Sequence, residues 1–265
     1  MLPLAERIPP PGHPYRFSTI AHSGLAILGP MLSAEVATVV DDALADLGDP
    51  VPSVRRLALD IGCGKGDLLV RLALRGVDGI GLDRNPWFLA DADAAASAAG
   101  VKDHVEWRTG EVDVAALPDG MTIAACVGAT DALGGPVAAP RVLARLLPPG
   151  GIAVIGELYW KSAPPLDAAA AFGTGPGDVV DLDATIARIA AAGLVPVALR
   201  TASQPGWDAY EAAFGEPIER WAQSHPHDAD RDAFLTRARL MRTTWLAWRR
   251  AAMGFVVVVA RRPGG

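Results

Sequence analysis

Residues Leu57 to Leu69 read "LALDIGCGKGDLL": an apolar run, an acid, then Gly62, Gly64 and Gly66 at every second position. The run has the length and apolar character of a buried strand. Glycines spaced this way open a turn and let a ligand approach the backbone. In open parallel sheets, ligands settle at the carboxyl ends of strands, where strand order reverses. Asp60 closes the run, so residues 62–66 are expected at such a crevice.

The rest of the chain gives this strand neighbours. "VDGIGLD", "HVEWRTG", "TIAACVGA" and "IAVIGELYW" read as further strands, separated by helices at 67–75, "PWFLADADAAASAA" and "APRVLARLL". Pro86 sits in the first turn of one helix, and "PPGG" stops another. This alternation predicts a parallel sheet with helices on both faces. Upstream, "YRFSTIAHSGLAIL" and "SAEVATVVDDALADL" read as two helices, the second N-capped by Ser33. Downstream of "LVPVALRTA" the rhythm breaks. From about residue 204 to 253 come two helical segments rich in tryptophan, and only then the strand "GFVVVVARR". The expected organisation is a helical segment over 1–52 and an α/β domain over 53–265, with a helical insertion at about 204–253.

Charge and composition narrow the partners. A net charge of −6 lacks the basic footprint of a general nucleic-acid binder. "FVVVVA" is far too short to span a bilayer, and the first residues lack the apolar core of a secretory signal. Cys63 and Cys126 lie in or beside apolar runs, as reduced buried thiols do. The expectation is a soluble cytoplasmic protein with no nucleic-acid or membrane partner and with a homodimer allowed.

Three ligands compete for the glycine loop. A nucleoside-triphosphate loop ends Gly-Lys-Ser/Thr, but Lys65 is followed by Gly66 and Asp67. A dinucleotide loop wants a third glycine where Asp67 stands, and Asp60 would repel a pyrophosphate. The acid suits a ligand with positive charge at that point. "LDIGCGKG" resembles motif I of the class I S-adenosylmethionine-dependent methyltransferases, and further motifs extend the resemblance over roughly residues 54–160. "GIGLDRN" resembles the end of the family's second strand, "VEWRTGEVDV" its adenine segment, and "AACVGATDALGG" its fourth-strand motif. "LARLLPPGGIAVIGELYW" is similar to its fifth-strand turn.

The resemblance implies a Rossmann-like fold with a seven-stranded, mostly parallel sheet whose last strand runs antiparallel, and S-adenosyl-L-methionine as cofactor. It implies that Asp60 faces the cofactor ammonium, that Gly62, Cys63 and Gly64 admit it, and that Asp83, with Arg84 beside it, takes the ribose hydroxyls. Glu111, standing where an Asp is more usual, and Val112 would flank adenine. Val127 and Gly128 would lie beside the sulfonium. The Asn/Asp-Pro-Pro-Tyr signature of amide and base methylation is replaced by "VGATDALGG", which points to a small-molecule acceptor.

Candidates on the acceptor side come from the residues themselves. Glu157 and Tyr159 share one face of a strand by period two, with Trp160 next to them. Glu157 is the first candidate general base, a structural acid being its ordinary alternative. His22 is the second, because N-terminal helices in the family fold over the cofactor and a histidine suits proton transfer. Trp207 and Tyr210 open the insertion and are candidate substrate contacts. Lys65 reads as solvent-facing, and His225 and His227 as a helix entry rather than a metal site, so no metal is expected. Two other readings stay open: a non-catalytic cofactor- or partner-binding protein, and a nicotinamide-dependent oxidoreductase.

Overall fold

Seven strands form one sheet in the order β3-β2-β1-β4-β5-β7-β6. The computed structural model describes residues 8–48, 55–165 and 179–264. The strands are β1 (Leu57–Ile61), β2 (Asp78–Asp83), β3 (Val105–Thr109), β4 (Ile123–Val127), β5 (Ile152–Trp160), β6 (Val195–Thr201) and β7 (Met253–Arg261). β1 pairs in parallel with both β2 and β4, and β4 with β5. β7 runs antiparallel between β5 and β6. The sheet is therefore mostly parallel with an antiparallel seventh strand, as the family pattern implies. The domain boundary expected after residue 52 lies outside the described residues.

Both faces are covered because the central strands are apolar on both sides, which only a buried parallel sheet tolerates. On one face α2 (Ser33–Leu47) and α3 (Asp67–Ala73) supply Val39, Val40, Leu69 and Leu72 to a core with Ala58, Ile123 and Val154. α4 (Pro86–Ala98) continues that layer, closing on β3 through Ala96, Val101 and Trp107. On the other face α5 (Ala139–Leu146) and α6 (Leu182–Ala191) bury Leu143, Leu146 and Ile189 against Leu59, Ile61 and Ile155. At residue 33 the sequence reading is corrected. Ser33 is the first helical residue, and the orphan Leu32 amide donates to Glu35 Oε2 at 2.8 Å.

The third unit is a cap, and it draws on both ends of the chain. α1 covers only Arg16–Ala21, shorter than the helix expected through Leu28. The chain turns at Ser23 and Gly24 and continues as a segment lining a cavity. Phe17, Ile20 and Ala21 pack with Phe214, Ile218 and Trp221 of α7 (Gln204–Ser224), and with Leu235 and Ala238 of α8 (Arg231–Thr244). Arg16, its side chain 5% exposed, donates to Asp228 Oδ2 and Asp230 Oδ2, each at 2.6 Å. The acids that follow His225 and His227 thus hold a guanidinium. Among the described residues, no cluster of three or more His, Cys, Asp or Glu is arranged to hold a metal ion, and no helix is long and apolar enough to cross a membrane.

The glycine loop shows what its residues are for. Gly62, Gly64 and Gly66 adopt φ of +73°, +54° and +75°. A Cβ on Gly62 would stand 2.2 Å from Ala129 Cβ, and one on Gly66 would stand 2.3 Å from Trp107. The loop is thus glycine-rich partly so that the chain can pack on itself. Gly66→Ala combines left-handed strain with overpacking and is expected to cost about 3 kcal/mol. Urea unfolding measures it, and Trp107→Leu in the same background should recover part of the loss.

Candidate functional site

Strand order reverses between β1 and β4, and a cavity of about 850 Å³ opens at that reversal. Pockets for small ligands run from roughly 300 to 1,000 Å³, so this one has room for a nucleoside cofactor and a second small molecule. Its floor is the loop after β1 with the ends of β2 and β4. Its roof is α1, the segment that follows it, and α7.

At the floor, Gly62 and Cys63 amides both donate to the Leu82 carbonyl, at 2.8 and 3.0 Å. This binds the loop to β2 and brings Asp60 and Asp83 to the same end of the cavity. Asp83 Oδ2 accepts from the Gly64 amide and Oδ1 from the Asn85 amide, each at 2.8 Å. Each oxygen keeps a further lone pair for a ligand. Burial raises the Asp83 carboxyl, and the two amides oppose that shift. Asp60 is 4% exposed, and its Oδ1 is buried without a hydrogen-bond partner. Burial, reinforced by the Asp83 charge, pushes Asp60 up to about 7. A buried carboxylate with one unpartnered oxygen, lining a cavity, fits a ligand that brings a cation. Cys63, Arg84, Glu111, Val112, Val127 and Gly128 also line this end. Burial pushes the Cys63 thiol up, so it serves here as a small apolar wall.

At the roof, His22 Nδ1 lies 2.7 Å from the Ser18 carbonyl. A carbonyl only accepts, so the ring proton sits on Nδ1. Burial pushes the ring down to about 4, the Lys65 ammonium adding to the shift and the Ser18 carbonyl opposing it. The neutral ring therefore presents a bare Nε2, which accepts from the Tyr210 hydroxyl at 3.2 Å. Burial raises the Tyr210 pKa and keeps the phenol protonated. Trp207 lines the same wall and stacks on Trp245 with ring centroids 5.2 Å apart.

The comparisons with known proteins agree with this geometry. A methyltransferase domain family model matches residues 58–151. The chain is 35% identical over 173 residues to the uncharacterized protein YjhP of Escherichia coli (strain K12), covering 64% of this chain and 70% of that one. A SAM-dependent methyltransferase from Geobacter sulfurreducens, crystallised with S-adenosyl-L-homocysteine, superposes with a TM-score of 0.83 at 31% identity, over 92% of this chain and 97% of that one. One from Thiobacillus denitrificans, also with S-adenosyl-L-homocysteine, gives 0.82 at 28% identity, with coverages of 92% and 97%. The chain belongs to the class I S-adenosylmethionine-dependent methyltransferases. Its cofactor is S-adenosylmethionine.

In this methyltransferase three expected acceptor-side residues lie elsewhere. Val154 and Leu158 line the cavity, so the two-residue alternation of β5 turns Glu157 and Tyr159 to the opposite face. Glu157 lies there among Pro140, Thr185 and Arg188. Trp160 shares the face of Leu158 but packs on Trp248, with centroids 6.2 Å apart. Lys65 is corrected as well. It is buried, donates to the His22 carbonyl at 2.9 Å and pairs with half-exposed Asp91 at 2.9 Å. That lysine ties the glycine loop to the end of α1.

Other residues had no sequence signal or an unread one. Leu28 covers Gly64 so closely that a Cβ there would stand 2.7 Å from its Cδ1. Asn85 caps α4 by accepting from the Trp87 amide at 3.1 Å and donates to Thr19 of α1, also at 3.1 Å. Its place before Pro86 was the visible signal. Glu211 and Arg249 meet in the cavity wall from 38 residues apart, a distance at which no local pattern speaks.

Lys65→Met removes a charged hydrogen bond worth about 2 kcal/mol. Amide hydrogen exchange in residues 16–25 is expected to quicken at least tenfold while exchange in β1 and β4 stays unchanged.

Proposed function

We propose that this methyltransferase acts on a small molecule, carrying the methyl group to an oxygen, nitrogen or carbon nucleophile held beneath the cap. The observation that carries this reading is a roofed cavity lined by Asp60, whose buried Oδ1 has no partner, and by the His22–Tyr210 pair. A roof built from both ends of the chain leaves space for a small acceptor rather than a groove for a polymer.

In this reading Asp60 holds the cofactor ammonium, which neutralises the buried charge. Asp83 accepts from the ribose hydroxyls while the Gly64 and Asn85 amides fix its carboxylate. Glu111 and Val112 border the adenine, and Cys63, Gly62, Gly64 and Arg84 complete the wall. Val127 and Gly128 border the reacting end. Bound S-adenosylmethionine supplies an electrophilic methyl group on a cationic sulfonium.

The chain supplies positioning, exclusion of water and a path for one proton. Trp207 and the cap helices close the acceptor side, so attack happens in a dry, oriented pair. Where the nucleophile carries a proton, that proton passes to the Tyr210 oxygen as the Tyr210 proton moves to His22 Nε2. The low basicity of His22 keeps Nε2 unprotonated across the neutral range. Its Nδ1–H, held by the Ser18 carbonyl, fixes the ring for this transfer.

Two measurements test the reading. Incubation with methyl-labelled S-adenosylmethionine and a deproteinised cell extract is expected to label small molecules. The His22→Asn/Tyr210→Phe variant should lower that labelling by about 10²-fold or more, as removal of a general base does, with S-adenosyl-L-homocysteine affinity unchanged. Label found only in added nucleic acid or protein would overturn the small-acceptor reading. The second is calorimetry against pH. Ionised Asp60 is the form that pairs with an ammonium, so below pH 7 protonation competes with the ligand. Affinity for S-adenosyl-L-homocysteine should fall toward tenfold per pH unit there. In Asp60→Asn it should be weaker and flat.

A further inference from the structure

Beyond Tyr210 the cavity wall carries two charges for which cofactor binding and the proton path have no use. The chain runs through a π-helical turn at Trp245–Arg249, an uncommon geometry that recurs at functional sites. It brings Arg249 against Glu211 of α7, Arg249 Nη2 donating to Glu211 Oε1 at 3.1 Å. The side chains are only 5% and 6% exposed, and both residues line the cavity. Burial pulls the Arg249 pKa down and pushes the Glu211 pKa up, so desolvation opposes both charges. Apolar residues of equal volume would pack this wall as well or better. Placed in the cavity wall, the pair can meet a bound molecule.

The surroundings say which ligand. Next to the pair stand the rings of Tyr210 and Trp245, the latter 5.8 Å from the Arg249 guanidinium. Phe214, Phe255 and Val257 make the neighbouring wall apolar. Arg237, whose guanidinium lies 4.1 Å over the Phe17 ring, also lines the cavity. The charged cavity-lining residues from α7 onward are thus two guanidinium groups and one carboxylate. That balance favours an anion, and Glu211 limits the charge it can carry. A planar guanidinium fork matches a planar carboxylate. A phosphate dianion would be repelled by Glu211, and an amine by the two arginines.

We propose that this end of the cavity is a carboxylate subsite, in which Arg249, held in place by Glu211, binds the carboxylate of an acceptor whose body is apolar or aromatic. The inference rests on the small-acceptor reading above and narrows it to one substrate class.

Phenylacetate and phenylacetamide test it, differing only in the group offered to Arg249. Binding is followed by calorimetry and by intrinsic tryptophan fluorescence, with and without S-adenosyl-L-homocysteine. The wild type is expected to bind phenylacetate at least tenfold more tightly than the amide. Arg249→Met/Glu211→Leu removes both charges together and should bring the two ligands within twofold of each other, leaving S-adenosyl-L-homocysteine affinity within twofold of wild type. Arg249→Lys keeps the charge without the fork and should retain only part of the preference. Equal binding of the two ligands by the wild type, or binding of neither, overturns the proposal. So does a preference that survives the double variant. The wild-type comparison decides even where a variant fails to fold. Normal cofactor binding and small-molecule methylation without a carboxylate preference would remove the subsite alone. A preserved preference in a protein that methylates only polymers would remove the small-acceptor reading and leave the subsite standing.

Discussion

The site hangs on the reversal of strand order between β1 and β4. Chains leaving these two neighbours turn to opposite sides of the sheet, which opens a crevice at their carboxyl ends. Only glycine fits at residue 62, since a Cβ there would meet Ala129 of the adjoining loop. The same tightness holds the loop amides on the Leu82 carbonyl and on Asp83. Backbone geometry forced by packing thus sets the positions of both acids. The chemistry of the floor follows from that constraint.

The roof depends on contacts between distant parts of the chain. Arg16 meets Asp228 and Asp230 across more than 200 residues, and Phe17 and Ile20 share a core with Phe214 and Trp221. Such contacts repay their ordering entropy only after the sheet has brought the two ends together. Lys65 and Asn85 then link this roof to the floor through His22 and Thr19. Trp207 and Trp245 also carry the cap into the core beneath it, against Val154 and Val257 of the sheet.

Burial of its lining groups accounts for the opposed titration behaviour within one cavity. Burial raises Asp60 and lowers His22, because it disfavours charge of either sign. Asp60 keeps an oxygen without a partner, and the His22 ring is left neutral with Nε2 accepting from the Tyr210 hydroxyl. Groups whose environments push their pKa values away from the ordinary are a mark of functional sites. Here the mark coincides with a cavity and with family membership.

Much of this was legible in the residues. The alternation of strands and helices, the acid before three glycines, the acid at Asp83 and the insertion ahead of the last strand are local patterns, each set by neighbours a few positions away. So were the placements of Trp207 and Tyr210 near the cavity, since a segment following a sheet strand reaches the crevice with little chain. Strand parity was not legible. β5 is buried by helices on both faces, so its sequence does not alternate, and nothing local says whether Glu157 or Leu158 faces the cavity. Lys65 looked solvent-facing because lysines usually are, and its partners, the His22 carbonyl and Asp91, lie on other elements. Glu211 with Arg249, and His22 with Tyr210, are pairs that exist only because helices far apart in the chain pack together. By itself the sequence determined the sheet, the glycine loop and the two acids at the ends of β1 and β2, whose signals are short-range. Tertiary structure alone decided which side chains meet beneath the cap, because those meetings are made by long-range packing.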